Sequence, residues 1–266
     1  MFISIIVPHS NTSIENDPLL PTLASIADQE GVQTELLLQH GGGITGLWGK
    51  LSRVLTLSAK KETITLRVIE EKNFSPEESL AAAIKRATAT WIGFLQPGEQ
   101  YLPNALTALQ SSFQAHPEID LFFTSSITSI HNKPIVTPAT LPTYNYLTSV
   151  QPSWPQHSFF CRTSLLRDEF VLEPRYQHQM ITEWLVRLLN AGKKIKTLPI
   201  LTTVATHEEK KKETLLPKPT GMTSLLKPWH QWRHQTTLRQ AQKNITLPSS
   251  VLIYQHGSLT QRTNLM

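Results

Sequence analysis

The sequence has one cysteine, Cys161, among 266 residues. That excludes an internal disulfide and a cysteine cluster for zinc, and it fits a cytosolic setting. Long hydrophobic runs are missing too. No apolar stretch approaches the ~20 residues that a membrane-spanning helix needs. The opening MFISIIVPHSN has no basic n-region, so it reads as a first strand rather than a signal peptide. A basic face on the body is also lacking. Nine of the 25 Lys+Arg but only three of the 20 Asp+Glu lie from Thr206 to Met266, which leaves sixteen basic and seventeen acidic residues before them. A near-neutral body argues against a nucleic-acid partner. The basic tail could touch a membrane surface, an anionic partner or water. There is no internal repeat.

What is present is alternation. FISIIV (Phe2 to Val7) is a β-branched run stopped by Pro8, as in a strand buried on both faces. Leu19, Leu20, Leu23 and Ile26 follow at helical spacing, up to a stop at Gly31. TELLLQ is a second strand before Gly41-Gly42-Gly43, and Ile44 to Ala59 reads as helix. ITLRVIEE (Ile64 to Glu71) is a third strand. Ser75, Pro76 and Glu78 spell a capping box that opens a helix. TWIGFL (Thr90 to Leu95), the helix within LPNALTALQSSFQAHP and the strand IDLFFTSSI continue the series. This order predicts an α/β fold with a mainly parallel, Rossmann-like sheet flanked by helices. Asn132 to Pro155, rich in Pro, Thr and Tyr, reads as a long loop. HSFFCRTSLL, a helix MITEWLVRLLNAG and a strand KIKTLPILTTV close a domain over residues 1–205. Residues 206–266 read as a basic extension that loses the strand pattern. A helix is expected there near 227–242, packing Trp229 and Trp232 on protein or membrane.

The order of elements resembles the GT-A fold of family-2 glycosyltransferases over about Met1 to Ala205. IIVPHSN matches that family's V-P-x-x-N turn at Val7, Pro8 and Asn11. ATATWIGFLQPGEQYLPNAL keeps Ala87, Thr88, Ile92, Phe94, Leu95, Pro103, Ala105 and Leu106 of the metal-motif region. QHSFFCRTSLL is similar to a segment found in a subset of the family, and ITEWLVRLLNAGKKI to the helix that carries the catalytic base. The resemblance implies an inverting transferase that moves a sugar from a nucleotide-diphospho-sugar to a glycan or lipid-linked acceptor, in polysaccharide biosynthesis. The composition points to a cytoplasmic protein; peripheral membrane contact through the basic tail and a homo-oligomer are left open.

The same resemblance implies site residues. Pro8, His9, Ser10, Asn11, His40 and Gly41 would line the nucleotide, at the carboxyl ends of the first two strands. Glu99, with Gln96 beside it, would hold Mg²⁺ or Mn²⁺; otherwise Glu99 is an exposed turn residue. Gln156 and His157 would line the acceptor pocket, although a lone His at a strand start is more often structural. The position of the catalytic Asp holds Ile181, and the nearest carboxylate is Glu183, two residues on and about 200° around the helix. Glu183 is thus a candidate base or a partner of Arg187 one turn on. The family's middle metal acid is replaced by Gly98. These departures leave a second expectation open: a catalytically inactive GT-A domain kept for binding or assembly. A nucleotidyltransferase would want a Gly-rich loop after the first strand, which PHSNTS lacks.

Overall fold

A computed structural model describes residues 2–9, 18–40, 64–70, 75–130, 133–143, 147, 156–206, 250–255 and 258–263. The expected helices over Ile44 to Ala59 and 227–242, with Trp229 and Trp232, lie outside the described residues. The chain divides into two units, Met1–His207 and Glu208–Met266.

The first unit is built on a nine-stranded sheet. Its strands are β1 (Phe2–His9), β2 (Gln33–His40), β3 (Ile64–Glu70), β4 (Trp91–Phe94), β5 (Glu99–Tyr101), β6 (Leu121–Ile130), β7 (Lys133–Thr137), β8 (Phe159–Arg162) and β9 (Ile195–Thr206). The order across the sheet is β3-β2-β1-β4-β8-β6-β9-β5, with β7 on the edge of β6. The long ladders, β1 with β2, β2 with β3 and β6 with β9, are parallel, as is β1 with β4. β8 runs antiparallel between β4 and β6, and β5 runs antiparallel to β9. The expected α/β fold with a mostly parallel sheet is therefore present.

Among the described residues four α-helices accompany it: α1 (Leu19–Ala27), α2 (Pro76–Arg86), α3 (Ala105–Ala115) and α4 (Met180–Asn190). α2 begins as its sequence predicts. The Ser75 hydroxyl accepts from the Glu78 N–H, and the Glu78 carboxylate accepts from the Ser75 N–H at 2.8 Å. No helix among the described residues is long and apolar enough to cross a membrane.

The stretch read as a loop from Asn132 contains β7, which pairs with β6. Pro134 masked it, because proline cannot donate to a ladder; on an edge strand that donor is dispensable. The second unit holds an antiparallel hairpin, β10 (Ser250–Gln255) with β11 (Ser258–Thr263). This corrects the expected loss of strand pattern there. VLIYQ and SLTQRT are two short strand-like runs separated by His256-Gly257, a spacing that suits a tight hairpin.

Aromatic rings fill the core of the first unit. Trp91 stacks on Phe113 at 4.1 Å between centroids, and Phe113 meets Phe122 at 5.1 Å. The Arg162 guanidinium sits 4.9 Å over the Trp91 ring. Trp184 of α4 is buried, and its indole N–H donates to the Phe170 carbonyl at 2.8 Å. β4 has a glycine where these rings crowd it. A Cβ at Gly93 would lie 2.7 Å and 2.9 Å from carbons of the Phe160 ring and 2.9 Å from the Tyr101 hydroxyl.

One buried carboxylate ties three strands and a loop together. Glu35 of β2 accepts from the Ser4 hydroxyl at 2.5 Å, the Arg67 guanidinium at 2.8 Å, the Thr88 N–H at 2.8 Å and the Thr88 hydroxyl at 3.0 Å. Burial pushes its pKa up. The hydrogen bonds from Ser4, Thr88 and Arg67 together outweigh burial, and the net direction is down.

Two predictions follow from this packing. Gly93→Ala should cost about 1–3 kcal/mol, because the rings that would have to yield are themselves packed; a urea midpoint equal to wild type would refute it. Glu35 has a folded pKa below its ordinary value of 4.5. Its contribution is therefore present above that value and is lost as pH falls through the folded pKa. Stability should drop more steeply below pH about 4.5 in wild type than in Glu35→Gln. Parallel stability–pH curves for the two proteins would contradict the assignment.

Candidate functional site

The parallel strands β1 and β4 end side by side, with the Leu95 N–H donating to the Ile6 carbonyl at 3.1 Å. β2 and β3 lie on one side of β1, and β4 on the other. The gap between β1 and β4 is thus a point where the strand order reverses direction, the place where ligands bind in open α/β sheets. Pro8 and His9 sit at this end of β1, and His9 is the register partner of His40 on β2. Ser10, Asn11 and Gly41 lie outside the described residues.

After β4 the chain turns through Gln96-Pro97-Gly98-Glu99. The Glu99 N–H donates to the Gln96 carbonyl at 2.9 Å, and Gly98 has φ +96°. Proline followed by a glycine with positive φ is the requirement of a type II turn. Two residues of helix α1, Thr22 and Ser25, and Gln29 just past its end fix this turn and the segment after it. The Thr22 hydroxyl accepts the Gly98 N–H at 2.9 Å, and the Ser25 hydroxyl accepts the Tyr101 N–H at 3.1 Å. The Gln29 amide donates to the Leu102 carbonyl at 3.0 Å and accepts the Leu106 N–H at 3.1 Å. Backbone groups that a turn would leave to water are thereby satisfied inside the protein.

The clamp turns Glu99 inward, where its side chain is buried. One carboxylate oxygen accepts the Gln96 N–H at 2.7 Å, and the other lies 2.6 Å from His157 Nδ1. His157 belongs to a single 3₁₀ turn, Gln156–Ser158, that leads into β8. The antiparallel course of β8 between β4 and β6 delivers the residues before it to the carboxyl end of β4. The Thr124 hydroxyl anchors the turn by donating to the Ser158 carbonyl at 3.0 Å.

An ionised carboxylate only accepts, so Nδ1 carries the proton shared with Glu99. His157 Nε2 is buried and has no hydrogen-bond partner. The Tyr101 hydroxyl, two residues from Glu99, is also buried and unpartnered. Burial and then the Glu99 charge push the Tyr101 pKa well above the ordinary phenol value.

The remaining sequence candidates fall elsewhere. Gln96 is exposed at the turn and Gln156 is half-buried beside His157. Glu183 of α4 accepts two bonds from the Arg187 guanidinium, at 2.7 Å and 2.9 Å, and Arg187 also donates to the Val171 carbonyl. The structure thus brings Glu99 and His157 together, whereas Glu183 is bonded to Arg187. Sequence reasoning chose both Glu99 and His157 but gave them separate roles. No local signal links residues 58 apart.

Magnesium or manganese needs several oxygen ligands. Among the described residues no group of three His, Cys, Asp or Glu could hold a metal ion. Gln96 and Gly98 stand at two of the three acidic positions, and both oxygens of Glu99 already accept hydrogen bonds. The described residues do not fit such an ion.

No protein-family model and no curated protein matches this sequence. Solved structures do. One is TarS 1-349 from S. aureus in complex with UDP, at TM-score 0.55 and 15% identity, covering 78% of this chain and 61% of that one. The same protein in complex with UDP-GlcNAc gives TM-score 0.55 and 16% identity, covering 79% and 59%. The mannosyltransferase PcManGT from Pyrobaculum calidifontis, in complex with GDP-Man and Mn²⁺, gives TM-score 0.55 and 14% identity, covering 79% and 58%. The chain spans about three fifths of the length of these structures. Its fold is the GT-A fold of glycosyltransferases.

The clamp predicts its own disruption. Gln29→Ala strands the Leu106 N–H in a buried setting, while the Leu102 carbonyl keeps the Ala105 N–H. The expected loss is about 1–3 kcal/mol, the cost of one unsatisfied buried group. Gln29→Glu keeps the acceptor and should fall between. Chemical denaturation that leaves Gln29→Ala at the wild-type midpoint would show that Gln29 does not hold this segment.

Proposed function

We propose that the chain is a glycosyltransferase that moves a sugar from a nucleotide-diphospho-sugar to a hydroxyl acceptor, with inversion. The observation that carries this reading is the buried Glu99–His157 pair at the carboxyl end of β4, at the reversal of strand order in a GT-A sheet. The likeness to proteins in complex with UDP, UDP-GlcNAc and GDP-Man supports the donor class. On this reading Pro8, His9, Ser10 and Asn11 contact the nucleotide together with His40 and Gly41. Gln156 and His157 face the acceptor, a glycan or lipid-linked hydroxyl in polysaccharide assembly.

A second reading has its own support. Ile181 is buried where the family's base is expected, and Glu183 is held by Arg187. A GT-A domain retained for binding, without turnover, is consistent with both.

Calorimetry with UDP, GDP, UDP-GlcNAc and GDP-mannose, each with and without Mn²⁺, tests the first reading. It expects one nucleotide and its sugar conjugate to bind and the other pair not to bind. Binding to none of the four would sink it. The Mn²⁺ arm reads whether residues outside the described set complete a metal site. Binding without any release of nucleoside diphosphate favours the second reading.

A further inference from the structure

We propose that His157 is the general base of the transfer and that Glu99 is its positioning carboxylate. The inference rests on the glycosyltransferase reading and assigns a role that the usual helix position does not fill. An inverting displacement needs a group to take the acceptor's proton as its oxygen attacks. Ile181 cannot accept a proton, and both oxygens of Glu183 are held in the Arg187 fork.

The Glu99–His157 pair has what such a base requires. Glu99, bonded to Nδ1–H at 2.6 Å, fixes the tautomer, so the neutral ring presents its lone pair at Nε2. The carboxylate also stabilises the imidazolium that forms when Nε2 takes a proton. The Gln96 N–H and the type II turn hold the carboxylate in place. The second, independent observation is the unpartnered Nε2. A buried polar atom without a partner carries a cost and calls for an explanation. A substrate hydroxyl at that nitrogen supplies one. Access to Nε2 requires opening of the site, so proton transfer follows binding.

The step balances. The acceptor O–H bond breaks and its proton passes to Nε2. The oxygen forms the new bond to the anomeric carbon. The bond from that carbon to the diphosphate oxygen breaks, and the electron pair leaves with the nucleoside diphosphate. The imidazolium returns its proton to water.

Water can replace the acceptor, so the test needs no knowledge of the natural one. Release of nucleoside diphosphate from UDP-GlcNAc and GDP-mannose is measured for the full chain, for His157→Asn and for Glu99→Gln. Affinity for UDP and GDP is measured in parallel. Asn keeps a donor toward Glu99 and removes the Nε2 lone pair, and circular dichroism checks that each variant folds. The expected result is a loss of about a hundredfold or more in release by His157→Asn, with nucleotide affinity unchanged. Glu99→Gln should lose less. In ¹⁵N-histidine-labelled protein it should also alter the Nδ1–H signal of His157, which a merely structural carboxylate elsewhere would not move. Release by His157→Asn at the wild-type rate overturns the base and leaves the transferase reading standing. Binding without release in wild type also overturns it. Wild type that binds no nucleotide overturns both.

Discussion

The hydrogen bond between Glu99 and His157 can form only if two distant parts of the chain arrive at one point. Glu99 must be turned inward by the Pro97-Gly98 corner, and His157 must be delivered by an antiparallel strand that enters between β4 and β6. Much of the surrounding structure serves this meeting. The polar row on α1 holds the corner, and Thr124 holds the turn that carries His157. An ionised carboxylate in this setting is tolerable because each oxygen accepts a hydrogen bond. Without that carboxylate the ring would lose its fixed tautomer.

Trp91, Phe113, Phe122 and Phe160 pack against one another along β4 from its first residue, and Tyr101 lies against Phe160. Gly93 lets these rings approach the strand. At the other end of the same strands, Glu35 joins β1, β2, β3 and the Thr88 loop. The sheet is thus pinned by a buried carboxylate at each end. One has its hydrogen bonds met by four donor groups; the other bonds His157 Nδ1, on a ring whose Nε2 lacks a partner.

The site departs from the arrangement implied by resemblance in a consistent direction. Acidic positions are replaced by Gln96 and Gly98, the base position by Ile181, and the remaining carboxylate is bonded to a histidine. Each replacement removes a carboxylate. Together they shift the polar chemistry from a cluster of acids toward an acid–imidazole pair.

Much of the fold was legible in the sequence, because helices and buried strands are written in near neighbours. The apolar run of β1, the 3.6-residue spacing of α1 and the Ser75–Glu78 box each lie within a few residues, and each element forms, although β1 continues through Pro8 to His9 and α1 ends at Ala27, short of Gly31. Pro134 hid β7 because the rule it breaks applies to central strands, and only the sheet order shows that β7 is at an edge. The site was legible only as separate residues. Glu99 and His157 stood out by position, but their hydrogen bond spans 58 residues, and the Ser4–Glu35–Thr88 contacts span 31 and 53. Such pairings depend on strand order and register, which residue type does not encode locally. The sequence by itself determined which segments become strands and helices. Only the tertiary structure decided that the buried carboxylate of the fourth-strand turn faces an imidazole, because that contact exists only once β8 has inserted beside β4.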